Sequence, residues 1–339
     1  MKMTASFNAF MKNTVNIDRS RLDTLETSVP AIYNALAGDG TLGAFVTGYE
    51  PQGSWCHETI IKPAEGVEFD ADFMLVLTEN PDWSASPKRY LTEVRAALTR
   101  HGTYKDLVKP VKCRCVRVAY AGDYHVDVVP YLVLADGRQV IVNGDEDEWE
   151  DTDPAAFTAW MKQQNDITNG QLKQVIRLLK YLRDHRSNFR RTRSVLITAT
   201  LGEQVDATKK IADPAYYEDL PTTFLHLITD LNDWLQARPT KPSIPDPSGV
   251  TDPYGAPVTF DHRWTPEAYL AYREKIKTIA EATQAAYYDE TSIEHSLELW
   301  QKVFGPHFKD PSPAAGSGGS AGTAGGLAGL SSVSASRGG

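Results

Sequence analysis

Two aspartates, two residues apart, open an apolar run. In Phe69–Leu77, FDADFMLVL, Asp70 and Asp72 lead into five residues without a polar side chain. Alternate residues of an extended chain share a face, so both carboxylates project to the same side. Paired carboxylates in an apolar strand are expensive unless something neutralises them. A third acid, Asp127, interrupts the β-branched and aromatic run YHVDVVPYLVL in the same way. Taken singly, Asp127 also reads as a strand-edge or salt-bridged residue. If the two strands lie side by side, three carboxylates converge and raise one another's pKa. Divalent metals with oxygen ligands would relieve that repulsion. The spacing alone is cheap: Asp145/Asp147 and Asp151/Asp153 repeat it in DEDEWEDTDP, which reads as an exposed acidic loop.

The surroundings give the motif a context. Gly53-Ser54 follows the strand-like GAFVTGY and PQ, and a Gly-Ser turn lets backbone amides approach a phosphate while Ser54 adds a hydroxyl. On its own the dipeptide is a routine turn. Downstream, QLKQVIRLLKYLRDHR carries a buried stripe of Leu172, Val175, Ile176, Leu179 and Leu182, with Lys173, Arg177 and Lys180 on another face. That face is either a solvated basic surface or a grip on a triphosphate. His57 and His125 near these motifs read as packing or hydrogen-bonding residues.

Further patterning gives the organisation. Strands are expected at Phe69–Leu77, Val111–Ala119 and Tyr124–Leu134, with AGD as a tight turn between the last two. Cys113 and Cys115 would then share one face of a strand. Helices are expected over 17–36, where Pro30 marks a kink or a new start, and over 87–101, 155–164, 170–187, 222–237 and 265–286. The Pro-rich stretch 237–260 either wraps the surface or carries function. The fold class is therefore α/β (α+β): a mixed-sheet core over 1–150 and a helical part over 151–310. A Gly/Ser-rich tail, 311–339, is too poor in large apolar residues to order itself.

Composition narrows the function. Lys plus Arg number 35 against 44 Asp plus Glu, a net charge of −9. That disfavours coating duplex DNA or an anionic membrane, but not a nucleotide substrate whose metals bring positive charge. Three cysteines exclude a disulfide framework. The N-terminal residues lack the apolar core of a signal peptide, and no run is long enough to span a membrane, so a cytoplasmic location is expected.

The order Gly-Ser, Asp-Ala-Asp, a later strand Asp and a helical Leu-Leu-Lys-Tyr resembles the polymerase-β-like nucleotidyltransferases. More closely, it resembles the cGAS/DncV-like nucleotidyltransferases (CD-NTases) of bacterial anti-phage systems, over residues of about 15 to 300. The resemblance implies a polymerase-β-like core and two Mg²⁺ ions, or Mn²⁺ in their place, on Asp70, Asp72 and Asp127. It implies donor phosphates on Gln52, Gly53 and Ser54, and a triphosphate on Lys180, with Lys173 and Ser194 as further nucleotide contacts. Where relatives carry an aromatic after that serine, this chain has Val195. The implied activity is a synthase joining ATP, alone or with GTP, into a cyclic di- or trinucleotide that signals to a downstream effector. An RNA-tailing or small-molecule nucleotidyltransferase and a non-catalytic scaffold are the rival readings. The tail ends in Arg337-Gly338-Gly339, which the resemblance links to conjugation of Gly339 by an E1/E2-like enzyme.

Overall fold

Six strands form one mixed sheet: β1 (Val46–Gln52), β2 (Phe69–Leu77), β3 (Val116–Tyr120), β4 (Tyr124–Val133), β5 (Gln139–Asn143) and β6 (Glu148–Asp151). The computed structural model describes residues 1–311 except 84, 121–123, 187–188 and 289–291. The expected turn at AGD and the tail with Gly339 thus lie outside the described residues. The strand order is β1-β2-β4-β5-β6, with β3 also on β4. Parallel pairing joins β2 to β4; β3 and β5 are both antiparallel to β4. The first nine residues of β4 are buried, because strands line both its edges and helices cover the sheet. Pro130 sits after β3 pairing ends at Val128 and before β5 pairing begins at Tyr131, so its missing N–H breaks no ladder on that side.

Helices α2 (Arg19–Ala37) and α4 (Lys88–Arg100) pack on this sheet, and the short α3 (Gly53–Cys56) follows β1 directly. The chain runs as one helix through Pro30, pinned by the buried Leu25, Val29, Ile32 and Leu36; Asp18 caps its start. A second apolar cluster gathers the later helices: α5 (Pro154–Ile167), α6 (Gln171–Tyr181), α7 (Ser194–Gly202), α9 (Leu220–Gln236), α10 (Pro266–Tyr288) and α11 (Ile293–Phe304), with the short α8 (Ala207–Ala212) between α7 and α9. The N-terminal helix α1 (Thr4–Phe10) joins it: Phe7 meets Trp300, Phe304 and Phe308 edge-on at 4.8, 5.4 and 5.1 Å. Among the described residues, no helix is long and apolar enough to cross a membrane.

Three local expectations need correction. The strand expected from Val111 begins only at Val116. Lys112 N donates to the Cys115 carbonyl, so 112–115 close a turn and the two cysteines do not share a strand face. The acidic run is not a free loop, because Trp149 packs on the sheet cluster and draws Glu148–Asp151 into β6. Its aspartates are also bound. Asp147 accepts from Ser86 Oγ and Lys88 N at the start of α4, and Asp153 caps α5 through Ala156 N. Finally, α6 ends at Tyr181 and continues as a π-helical turn over Leu182–Arg186.

Candidate active site

The parallel register of β2 and β4 sets Asp72 directly beside Asp127, and Asp70 beside His125. Asp70 is exposed, Asp72 half-buried and Asp127 buried. Burial, reinforced by the charges of Asp70 and Asp127, pushes the Asp72 carboxyl up to about 7. Asp127 behaves in the opposite way. Burial alone would raise it, but Arg117 donates from Nε and Nη2 to its two oxygens, both at 2.7 Å, and holds it below the usual carboxylate range. Lys112 Nζ lies 3.9 Å from the same carboxylate.

The Gly-Ser turn closes over this pair. Gln52 pairs with Asp72 across β1 and β2, and Gly53 follows in the left-handed region at φ +61°. A Cβ on Gly53 would lie 3.0 Å from Asp72 Oδ2, so glycine is needed there for space as well as for conformation. Among the described residues, no three His, Cys, Asp or Glu side chains are gathered to hold an ion as they stand. The donor set nevertheless fits hard divalent cations. It consists of carboxylate oxygens, Asp72 carries like-charge repulsion that Arg117 and Lys112 only partly offset, and the oxygens bonded to Arg117 keep further lone pairs.

Beside the acids lies a cavity of about 240 Å³ whose walls include Ser54, Asp70, Lys180, Arg183, Asp184 and Ser194. Lys180 is 4% exposed; its Nζ donates to the carbonyl and hydroxyl of Thr59 at 3.0 and 3.1 Å. Burial and the nearby Arg183 charge pull it down to about 7, against the opposing pull of Asp70, Asp184 and Asp72. Arg183 is anchored on the Asp184 carboxylate, the Thr192 carbonyl and Ser194 Oγ. Arg190 also lines the cavity and donates to the Asp184 carbonyl.

The other basic residues of α6 point elsewhere: Lys173 pairs with Glu58 at 2.9 Å, and Arg177 donates to Asn16 Oδ1. His57 stacks on Phe157 with ring centroids 5.3 Å apart, and burial followed by the Lys180 and Lys173 charges lowers it to about 4. His125 bonds Glu68, and Val195 packs against the helical cluster. Arg117, Arg183, Arg190 and Thr59 were not singled out by the sequence. Only Arg117 had a readable signal: antiparallel pairing of the two neighbouring runs puts residue 117 opposite 127, and β3 and β4 pair in that register.

Residues 1–165 match the family model described as Second Messenger Oligonucleotide or Dinucleotide Synthetase domain. A c-di-GMP synthase of Roseivirga ehrenbergii is 31% identical over 159 residues, 45% of this chain and 41% of that protein, so the match spans less than half of that relative's length. A cyclic AMP-AMP-AMP synthase of an Acinetobacter strain is 26% identical over 76% of this chain and 71% of its own. Among solved structures, Vibrio cholerae DncV cyclic AMP-GMP synthase aligns with TM-score 0.68 at 15% identity, covering 91% of this chain and 96% of that one. Escherichia coli MS115-1 CdnC with ATP aligns with TM-score 0.66 at 19% identity over 90% and 98%. The two structures share the fold.

Proposed function

The chain belongs to the cGAS/DncV-like nucleotidyltransferase superfamily, and from that premise we propose that it makes a cyclic purine di- or trinucleotide from ATP, alone or with GTP. The observation that carries this reading is the juxtaposition of Asp72 and Asp127 on adjoining strands. They stand beside a cavity holding Asp70, Ser54 and a buried Lys180 whose charged form burial disfavours. The names of the relatives differ in base and ring size, so they support the class of product rather than one product.

Asp70, Asp72 and Asp127 are the residues that would hold two Mg²⁺ or Mn²⁺ ions. Such ions supply Lewis-acid activation of a ribose hydroxyl and charge neutralisation at the leaving pyrophosphate. Arg117 fixes the orientation of Asp127 through its two-pronged bond. Gln52 and Gly53 pack against Asp72, and Ser54 presents a hydroxyl to the cavity. Lys180, held by Thr59, offers its ammonium to the phosphates, with Arg183 and Ser194 alongside. A second transfer within the linear product closes the ring.

Incubation with Mg²⁺ and labelled ATP and GTP tests the reading. Small phosphatase-resistant products are expected. RNA-sized products would establish tailing instead, and the absence of any product would leave a nucleotide-binding scaffold.

A further inference from the structure

Four consecutive residues after the Gly-Ser turn are stitched to the helical part. Cys56 Sγ and His57 Nε2 lie 3.8 and 3.3 Å from the Thr158 hydroxyl on α5, and His57 stacks on Phe157. Glu58 accepts from Lys173 Nζ at 2.9 Å, and Thr59 accepts twice from Lys180. Lys173 and Lys180 are the two lysines of α6 and stand about two helical turns apart. Two neighbouring residues of this strap therefore hold both of them.

Backbone bonds carry the hold back to the phosphate turn. The carbonyls of Gly53, Ser54 and Trp55 accept from His57, Thr59 and Glu58 N at 3.1, 2.8 and 3.1 Å. The last two bonds close α3 as a Schellman motif, in which the residue in the left-handed region is ordinarily glycine. Here it is Glu58, at φ +56°. A side chain there strains the backbone. The ion pair returns little of that cost, because Glu58 is exposed and exposed pairs contribute little to folding. Stability alone would favour glycine at this position. Strain of this kind persists at functional sites, and the group that Glu58 reaches is Lys173. Lys173 is itself set apart from the phosphates, since among the described residues the basic walls of the cavity are Lys180, Arg183 and Arg190.

We propose that Glu58 and Lys173 are positioning residues for nucleotide binding. Their pair, beside the Thr59–Lys180 bonds, latches the Ser54 turn to α6 and sets the distance between two groups that take the triphosphate. The inference rests on the nucleotidyl-transfer reading and deepens it. Lys173 then braces the phosphate contacts rather than being one of them, as the resemblance implies.

Calorimetric titration of the full chain with α,β-methylene-ATP and Mg²⁺, paired with steady-state pyrophosphate release from ATP, tests this. Glu58→Gln and Lys173→Met should each weaken binding and raise KM about threefold or more, with kcat within about twofold of the parent. The double variant should be no worse than either single one, because all three lack the same pair. Lys173→Arg should keep most of the parent's affinity. Glu58→Gly should melt at or above the parent, since the strain is relieved, yet bind as weakly as Glu58→Gln. A Lys173 that touched phosphate directly would give another pattern. Glu58→Gln would then bind as tightly as the parent or more so while Lys173→Met bound more weakly, which would overturn the latch. Additive losses in the double variant, unchanged affinity in Glu58→Gly, or a lower melting midpoint for Glu58→Gly would overturn it as well. Each of those results leaves the proposed function standing. A parent that takes up no nucleotide and releases no pyrophosphate would sink the proposed function itself.

Discussion

The sheet wall and the helical wall of the cleft bury charge of opposite sign. On the sheet side, Asp127 is matched by Arg117, whereas at Asp72 burial and the charges of Asp70 and Asp127 outweigh the pull of Arg117 and Lys112 and push the carboxyl up to about 7. On the helical side, Arg183 is matched by Asp184, whereas Lys180 rests on the neutral Thr59 and is pulled down to about 7. Each wall therefore contains one well-compensated ion and one poorly compensated one. A core selected for stability alone would have replaced Asp72 and Lys180 with apolar residues. The pattern suits a ligand that brings both signs, a triphosphate with its metal ions.

The comparison can be broken most forcefully at Asp72. Asp72→Asn should lower metal-dependent pyrophosphate release by about three orders of magnitude or more, because several kcal/mol of transition-state charge stabilisation go with it. The same variant should melt no lower than the parent without ligand, since a repelled charge is removed. Lys180→Met attacks the opposite wall. Equilibrium binding of a non-hydrolysable ATP should weaken about 10- to 100-fold, the scale of a lost charge-assisted hydrogen bond. Arg117→Ala tests whether compensation on the sheet wall serves orientation. Metal affinity should fall about tenfold or more, with partial return in Arg117→Lys; unchanged affinity would leave Arg117 a purely structural partner.

The smallest effect concerns pH. An unfolded lysine titrates at about 10.4, and Lys180 in the fold at about 7. Between those values the unfolded chain binds the additional proton, so this group makes stability rise as pH climbs from 7 toward 10. Melting curves of the parent and of Lys180→Met should diverge over that window, the parent gaining on the variant. Parallel curves would mean that Lys180 is not held charged at a disadvantage.

The acidic half of the site was legible because Asp70, Asp72 and Asp127 each violate an apolar alternation that otherwise runs clean. Lys180 was legible from helical spacing, but its distinction from Lys173 was not. Both sit on the same face of the sequence pattern, and only the packing of Thr59 and Glu58 assigns them different roles. The acidic run misled because charge count outweighed Trp149, a single residue whose burial creates a strand. The alternation of basic residues and cysteines at 112–115 misled for the reverse reason, since period-two spacing also fits a turn closed by Cys113, Asn143 and Gly144.

Counting bound ions is the most direct test of the account. Manganese titrated into the chain with α,β-methylene-ATP, and followed by the loss of its free electron-spin resonance signal, should bind as two ions per site in the parent. In Asp127→Asn it should fall to one or none. Two ions retained with unchanged affinity in that variant would contradict a metal centre shared by neighbouring strands.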